Sequence, residues 1–297
     1  MRKSLTKDSS EIEETLLSLT HRVKICAFRI LLRTGKVRAT IPMLRGVWGA
    51  TLKNFEPVVY RTIFEGYRSI NASEKGRFKL PLYILRPAHP DPDFAPAVEL
   101  IFLGNACYHA TVAIKAFRQA VVNGLGPRRT ICDIQEIRRI YPSETLTDKI
   151  VISDLGCSAQ MFIQTTPRNH GLRLNFYVPL RLLRRKQLIH SPNFTDIIAI
   201  SLERLYALSC MNIHKDFKDH ILNIAHSTPA FAWIGQRQDL IRWSGRQKTL
   251  LELRGIVGYL DLPNGAGPFR PLLAASEWMH IGKGTVFGLG QLNLTKR

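Results

Sequence analysis

The segment Met279-His280-Ile281-Gly282-Lys283-Gly284-Thr285-Val286-Phe287-Gly288-Leu289-Gly290-Gln291-Leu292 limits what this chain can fold into more than any other stretch. Its four glycines fall in the pattern G-x-G-x-x-x-G-x-G, with a lysine inside the first pair. Glycine adopts backbone angles closed to other residues and lets a second backbone or a ligand come close. The spacing departs from both the dinucleotide fingerprint and the P-loop. A short helix is expected over Pro268–Trp278, starting near Pro271, and the alternating run Val286–Leu294 is expected to follow as a last strand. In that order of helix, glycine loop and strand, Lys283 and the amides of Gly282 and Gly284 can form a surface for phosphate oxygens.

Charge says what kind of phosphate. The chain carries 42 Lys+Arg against 23 Asp+Glu, a formal net charge of +19. Such an excess calls for a polyanion, either nucleic acid or an anionic membrane. The membrane reading finds no support. The opening MRKSLTKDSSEIEE has no apolar stretch of the kind a signal peptide needs, and no uncharged apolar run approaches the roughly 18 residues of a span. Five cysteines without a CxxC read as reduced residues of a cytoplasmic protein. His214, His220 and His226 recur every six residues, which on a helix turns each away from the last. No metal and no other cofactor is expected, and RNA is the favoured partner.

In chain order, residues 1–14 read as a mobile tail of mixed charge. Arg22–Arg33 reads as a strand with one wet, positive face, and the eight basic residues from Arg22 to Lys53 are unaccompanied by any acid. Apolar residues at helical intervals run from Ile41 to Phe64, with Pro42 suited to a helix start. Gly46 and Gly49 inside that helix imply close packing or a backbone contact. Leu80–Pro87 and Ala97–Gly104 read as strands, Tyr108–Val122 as a helix stopped by the NGLGP turn at 123–127, and Thr130–Ile140 as a strand. That is β-α-β-β-α-β, the ferredoxin-like order shared by RNA-recognition modules. A second cycle follows: strand 171–183, helix 193–208 with a continuing helical insertion, strands 240–243 and 250–260, then the helix, loop and strand already described. The expected fold is α+β, with tandem ferredoxin-like (RRM-like) domains at 1–145 and 146–297 and a helical insertion at about 193–230 in the second.

Four segments, in this order, make the chain resemble the CRISPR precursor-RNA processing endoribonucleases of the RAMP superfamily: LRGVWGATL at 44–52, LPLYILRP with NGLGPRR at 123–129, RWSGRQ at 242–247, and the block from LRGIVGYLDL to the closing glycine loop. The loop is the most specific of them, through Gly282, Gly284, Gly288 and Gly290. The resemblance implies an enzyme that binds the CRISPR repeat hairpin and cuts once at its base without a metal. The ribose 2′-OH attacks the adjacent phosphate, and the mature crRNA often stays bound with other effector-complex subunits. Family members commonly place a histidine near the start of the first helix. Here none lies between His21 and His89, which draws the chain toward the divergent branch of type IV systems, where arginines take over.

Within that resemblance, Arg38 before the first helix and Arg242 in RWSGRQ are the first catalytic candidates, since both segments approach the cleft between domains. An arginine is a poor base but can neutralise a phosphorane and hold the attacking hydroxyl in line. His280 is the third candidate, against a structural histidine bonded to backbone. RNA contact is expected from Arg22, Lys36, Arg45, Arg128, Arg129, Arg184, Arg185, Lys186, Arg246, Lys283, Gly282 and Gly284, mostly as phosphate grips that fix register without reading sequence. Trp48, Trp243 and Tyr108 are stacking candidates, with burial in the core as the competing reading. Two rival functions are a non-catalytic RAMP RNA-binding subunit of a CRISPR effector complex and an unrelated protein with two RNA-recognition modules.

Overall fold

The computed structural model describes residues 2–34, 39–68, 79–88, 97–126, 129–140, 156–163, 170–244 and 249–297. Within these, two antiparallel sheets repeat one topology. The first is built from β1 (Lys24–Thr34), β2 (Tyr83–Pro87), β3 (Ala97–Leu103) and β4 (Cys132–Ile140), ordered β2-β3-β1-β4. Strand β1 is central, with Ile25 opposite Leu103 on one side and Ala27 opposite Ile140 on the other. The wet positive face expected of Arg22–Arg33 is therefore mostly lost. Ile25, Cys26, Ala27, Phe28, Ile30 and Leu32 are all buried, because a central strand covered on both faces has little surface to give to solvent.

Two crossover helices, α2 (Ile41–Phe55) and α3 (Ala110–Val122), pack against each other and serve this sheet. Trp48 is their hinge point. It is fully buried, donates Nε1–H to the Ala113 carbonyl at 3.0 Å, and lies within 6.3 Å, ring to ring, of Phe64, Tyr83, Phe102 and Phe117. It is core and cannot stack on a base. The helix expected to run on to Phe64 breaks at Glu56, since Pro57 lacks the amide the ladder needs, and resumes as Pro57–Tyr60 and a π-turn Arg61–Glu65. A Cβ on Gly49 would sit 2.8 Å from the Phe64 ring, so close packing explains that glycine; Gly46 has nothing within 4 Å.

The second sheet uses β5 (Leu172–Leu180), β6 (Ile234–Arg237), β9 (Ile256–Leu262) and β10 (Asn293–Lys296), ordered β6-β9-β5-β10. Between β6 and β9 an outer hairpin, β7 (Leu240–Ser244) with β8 (Thr249–Leu253), prolongs the same two strands outward. Its helices are α4 (Phe194–Ser209), α5 (Lys215–Ser227) and α6 (Arg270–Met279). Helix α4 starts in a capping box, Asn193 accepting from the Asp196 amide while Asp196 accepts from the Asn193 amide. Reading 193–230 as one insertion changes accordingly: α4 is the crossover helix of the second cycle, and α5 is the addition.

Two expectations are overturned. Residues 2–22 form a helix, α1, and Ile12, Leu16 and Leu19 are buried in an i, i+4, i+7 stripe. The stripe lies mostly beyond residue 14, where the charged opening hid it. Helix α1 packs on α4 and α6, so the start of the chain joins the helical layer of the second half. The expected last strand, Val286–Leu294, is instead a short helical turn Thr285–Phe287 followed by loop, with β10 beginning at Asn293. Gly288 and Gly290 hold φ of 79° and 69°, which an extended strand cannot contain. The apolar alternation survives because Val286, Leu289 and Leu292 are buried beneath the loop.

Candidate nucleic-acid interface

The glycine loop closes on its own backbone. The Ile281 amide donates to Gly290 O at 2.8 Å, and Phe287 and Gly288 donate to Gly284 and Thr285 at 2.9 Å. Lys283 donates to Arg181 O at 2.9 Å and Gly290 to Pro179 O at 3.0 Å, tying the loop to the end of β5 and the residue after it. These five amides are spent inside the protein; the amides of Gly282 and Gly284, on which the expected phosphate surface rested, are not among them. The glycines are there for backbone proximity. A Cβ on Gly290 would lie 1.8 Å from Ile281 O, and one on Gly282 2.5 Å from Arg181 O.

The loop is also the seam between the two halves. A Cβ on Gly288 would meet Arg86 of β2 at 3.1 Å. Arg86 is buried and donates to Glu99 (Nε to Oε2, 2.8 Å), to the Glu277 carbonyl (3.0 Å) and to His280 Nε2 (3.0 Å), with its guanidinium 5.2 Å from the Trp278 ring. Glu99 also accepts from Arg29 at 2.7 Å. His280 completes the chain by donating Nδ1–H to Leu289 O at 3.0 Å. Both ring nitrogens are engaged and the residue is fully buried. Burial first, and then the charge of Arg86, hold its pKa well below the ordinary histidine value, so the ring is neutral. Burial likewise raises Glu277 to about 7, although it accepts the Leu294 amide at 2.8 Å. A positive charge at a helix C-terminus complements the α6 dipole, and Arg86 and Arg204 both reach carbonyls of its last turn, Arg204 Nε lying 2.6 Å from Met279 O.

Arg45 enters the same seam from α2. Its Nε donates to the Tyr83 hydroxyl at 2.7 Å, and its guanidinium lies 4.9 Å from the centroid of the Phe287 ring in the loop. The half-buried Arg45 is thus engaged by protein on both sides. Lys283 is half-buried, and burial lowers its pKa. Of the expected RNA contacts, Arg22 at the end of α1, Arg129 in the turn after α3, and Arg184, Arg185 and Lys186 are exposed. Arg184 pairs with Asp196, while Arg185 and Lys186 form the tip of a tight hairpin with φ of 51° and 68°. Arg242 lies on β7, its backbone paired with Leu251. Lys36, Arg38, Arg128, Arg246 and the side chains of Arg242 and Trp243 lie outside the described residues. Tyr108 is 56% exposed and stays open to a stacking partner. Among the described residues no group of three or more His, Cys, Asp or Glu is placed to hold a metal ion. Nor is any helix among them long and apolar enough to cross a membrane.

Residues 174–292, from the central strand of the second sheet through the glycine loop, match the family described as CRISPR-associated endoribonuclease Cas6. Over that stretch the chain is similar to the Cas6 endoribonucleases. A Cas6 product complex superposes on it with a TM-score of 0.61 at 13% identity, covering 92% of this chain and 99% of that one. Thermus thermophilus Cas6 gives 0.57 at 12% identity with the same coverage. A partial Cas6-RT-Cas1–Cas2 complex gives 0.52 at 12% identity over 93% of this chain and 46% of that chain. At these identities the likeness establishes the shared Cas6 fold, two ferredoxin-like sheets over nearly the whole length. No match to a curated protein is found.

What sequence reasoning missed is the network behind the loop: Arg86, Glu99, Arg29 and Arg204. One signal was available. Arg86 and Glu99 each interrupt an otherwise apolar strand, and the β2–β3 register sets them directly opposite each other. A charge alone in a buried strand needs a partner of opposite sign.

Proposed function

We propose that this protein matures precursor crRNA, holding the CRISPR repeat hairpin and cutting it once at the base by internal transesterification. In that step the ribose 2′ oxygen bonds to the adjacent phosphorus and gives up its proton. The bond from phosphorus to the 5′ oxygen breaks, and that oxygen takes a proton. The products are a 2′,3′-cyclic phosphate and a 5′-OH end, and no water is consumed. The single observation that carries this reading is the match of residues 174–292 to the Cas6 endoribonucleases.

Arg38 and Arg242 are assigned to the phosphorane, as fixed positive charges on the oxygens that become more negative at the transition state. In sequence Arg38 falls between β1 and α2, and Arg242 lies on the outer hairpin; functional residues are often carried on such connections between the elements of a rigid scaffold. His280 is assigned a positioning role, because a ring sealed at both nitrogens has no path to a substrate proton. Arg22, Arg128, Arg129, the Arg184-Arg185-Lys186 tip and Arg246 grip backbone phosphates. The finer reading places the protein in the type IV branch, in the cytoplasm and among effector-complex subunits. The first of these rests on the lack of histidine between His21 and His89, and the last on exposed Ile241 and Leu250 on the outer hairpin.

The test is end-labelled repeat hairpin incubated with the protein in excess chelator. One cut at the stem base is expected, abolished by a 2′-deoxy substitution at that nucleotide. Intact RNA held tightly by folded protein would instead make it a non-catalytic RNA-binding subunit. A cut that persists on the 2′-deoxy substrate would remove the transesterification.

A further inference from the structure

Beside Gly282-Lys283 of the glycine loop lies a cavity of about 550 Å³, bounded also by helix α4 and the start of α5, with Leu80 in its lining. Its size falls within the roughly 300–1,000 Å³ typical of small-molecule sites. Among the described residues four basic side chains line it, Arg181, Arg204, Lys218 and Lys283, against one carboxylate, Glu203. Glu203 is already taken by Lys218 at 2.6 Å. The remaining charge is concentrated on two arginines whose inner nitrogens are idle: Arg181 Nε and Arg204 Nη2 are buried with no hydrogen-bond partner. A buried guanidinium N–H without an acceptor is rare and costly, and a negatively charged ligand is the group that satisfies it. The other wall, Ile200, Ala207, Met211 and Ile213, is apolar.

A cavity with a doubly basic corner and an apolar wall is matched by a flat apolar ring joined to a phosphate. We propose that it binds a nucleoside monophosphate unit, the phosphate on Arg181 and Arg204 and the base along the Ile200–Ala207–Ile213 wall. Burial lowers Arg204 to about 10 and, with Arg204 and Arg181 beside it, lowers Lys283 as well; a phosphate in this corner relieves both. The unit is either a free nucleotide or one nucleotide of a bound RNA. Only the second source rests on the RNA-processing reading.

The experiment titrates adenosine 5′-monophosphate into the full chain, with adenosine and inorganic phosphate as controls, and repeats it on Arg181→Gln and Ala207→Phe. Melting curves establish that each variant is folded. Saturable binding is expected, weakened about tenfold or more in each variant, the loss of one charge-assisted bond being enough for that factor. Each control should bind about tenfold more weakly than the nucleotide, since it fills only one end of the site. Displacement of repeat hairpin by the nucleotide assigns the site to an RNA nucleotide, and simultaneous binding of both assigns it to a free one. Hairpin affinity lost in Ala207→Phe without binding of the free nucleotide also assigns it to the RNA. The proposal is overturned if nucleotide binding is absent and both variants hold the hairpin as the native chain does, or if nucleotide binding is indifferent to both substitutions. Because the free-nucleotide arm needs no cleavage, failure of the nuclease reading leaves it intact.

Discussion

The two halves have the same strand order, yet helix α2 of the first and the closing loop of the second use glycine in opposite ways, and the halves differ in where they send charge. In α2, Gly46 has open space around it. In the closing loop Gly282, Gly284, Gly288 and Gly290 hold φ of 69–84°, and Gly282 and Gly290 are pressed against backbone. The first half sends its buried charge outward, Arg86 and Arg45 reaching across to α6 and the loop. The second half receives them. The loop is therefore fixed by packing, and it lies within the matched residues 174–292. The cutting chemistry is proposed for Arg38 and Arg242, which lie outside that loop.

Single substitutions can break this contrast. The largest expected effect is Gly290→Ala, which puts a methyl group where Ile281 O already lies and forces a left-handed residue; denaturant unfolding should show a loss of about 3 kcal/mol or more. Gly46→Ala should do the reverse, stabilising by up to about 1 kcal/mol through helix propensity. A loop that tolerates Gly290→Ala at native stability would end the argument that its glycines are packing residues. Next come the two candidates for the chemistry. His280→Ala should cost about 3 kcal/mol of stability by leaving Arg86 and Leu289 O short of a partner, while the folded fraction still cuts RNA. Arg242→Ala should leave the melting temperature and hairpin affinity near native and slow single-turnover cutting about a hundredfold. Swapped outcomes, with His280 controlling rate and Arg242 stability, would invert the assignment.

The same contrast explains what could be read from the sequence. The first β-α-β-β-α-β cycle was legible because the apolar periods at Tyr108–Val122 and Ala97–Gly104 follow from local backbone geometry; in the second, the strand expected at 240–243 belongs to the outer hairpin, and the sheet takes Ile234–Arg237 in its place. Helix α1 was not, because its charged first half masks the stripe at Ile12, Leu16 and Leu19. The strand expected at Val286–Leu294 failed for a different reason. Its apolar alternation is real, but it reports burial under the loop, and the glycines decide the backbone. At the site, His280 was legible as a residue of interest, whereas its sealing by Arg86, 194 positions away, depends on how the halves meet. Arg185 and Lys186 were legible as charge and not as a strained turn.

A pH titration probes the seam more gently. Glu277 is raised to about 7 in the folded protein, against an ordinary value near 4.5. A folded-state pKa above the unfolded one contributes stability that is present at low pH and lost as pH rises from about 4.5 through 7. His280 runs the other way: its depressed folded pKa contributes stability above about 6.5 that is lost on acidification. Glu277→Gln keeps an acceptor for the Leu294 amide and removes only the first effect. The variant should be more stable than the native chain at pH 8, with the difference narrowing toward pH 5. A constant difference would mean that Glu277 is charged and comfortable in the seam.

The smallest effect expected on the fold separates scaffold from ligand contact at the tip of the Leu183–Leu188 hairpin. Arg185 and Lys186 both hold positive φ, a two-residue turn that favours Asn-Gly. Each non-glycine residue there costs about 1–2 kcal/mol at most, which a sequence selected for stability alone would not keep. Replacing the pair with Asn-Gly should therefore stabilise the protein by about 1 kcal/mol. If the tip grips phosphate, the same change weakens repeat-hairpin binding and lowers the slope of log affinity against log salt by about 2. Cutting at saturating protein should be unchanged, since the tip is assigned to binding alone. A variant that gains stability and keeps the native salt slope would show that the strained cations hold no RNA, leaving the grip to Arg22, Arg129 and the connections around Arg38 and Arg246.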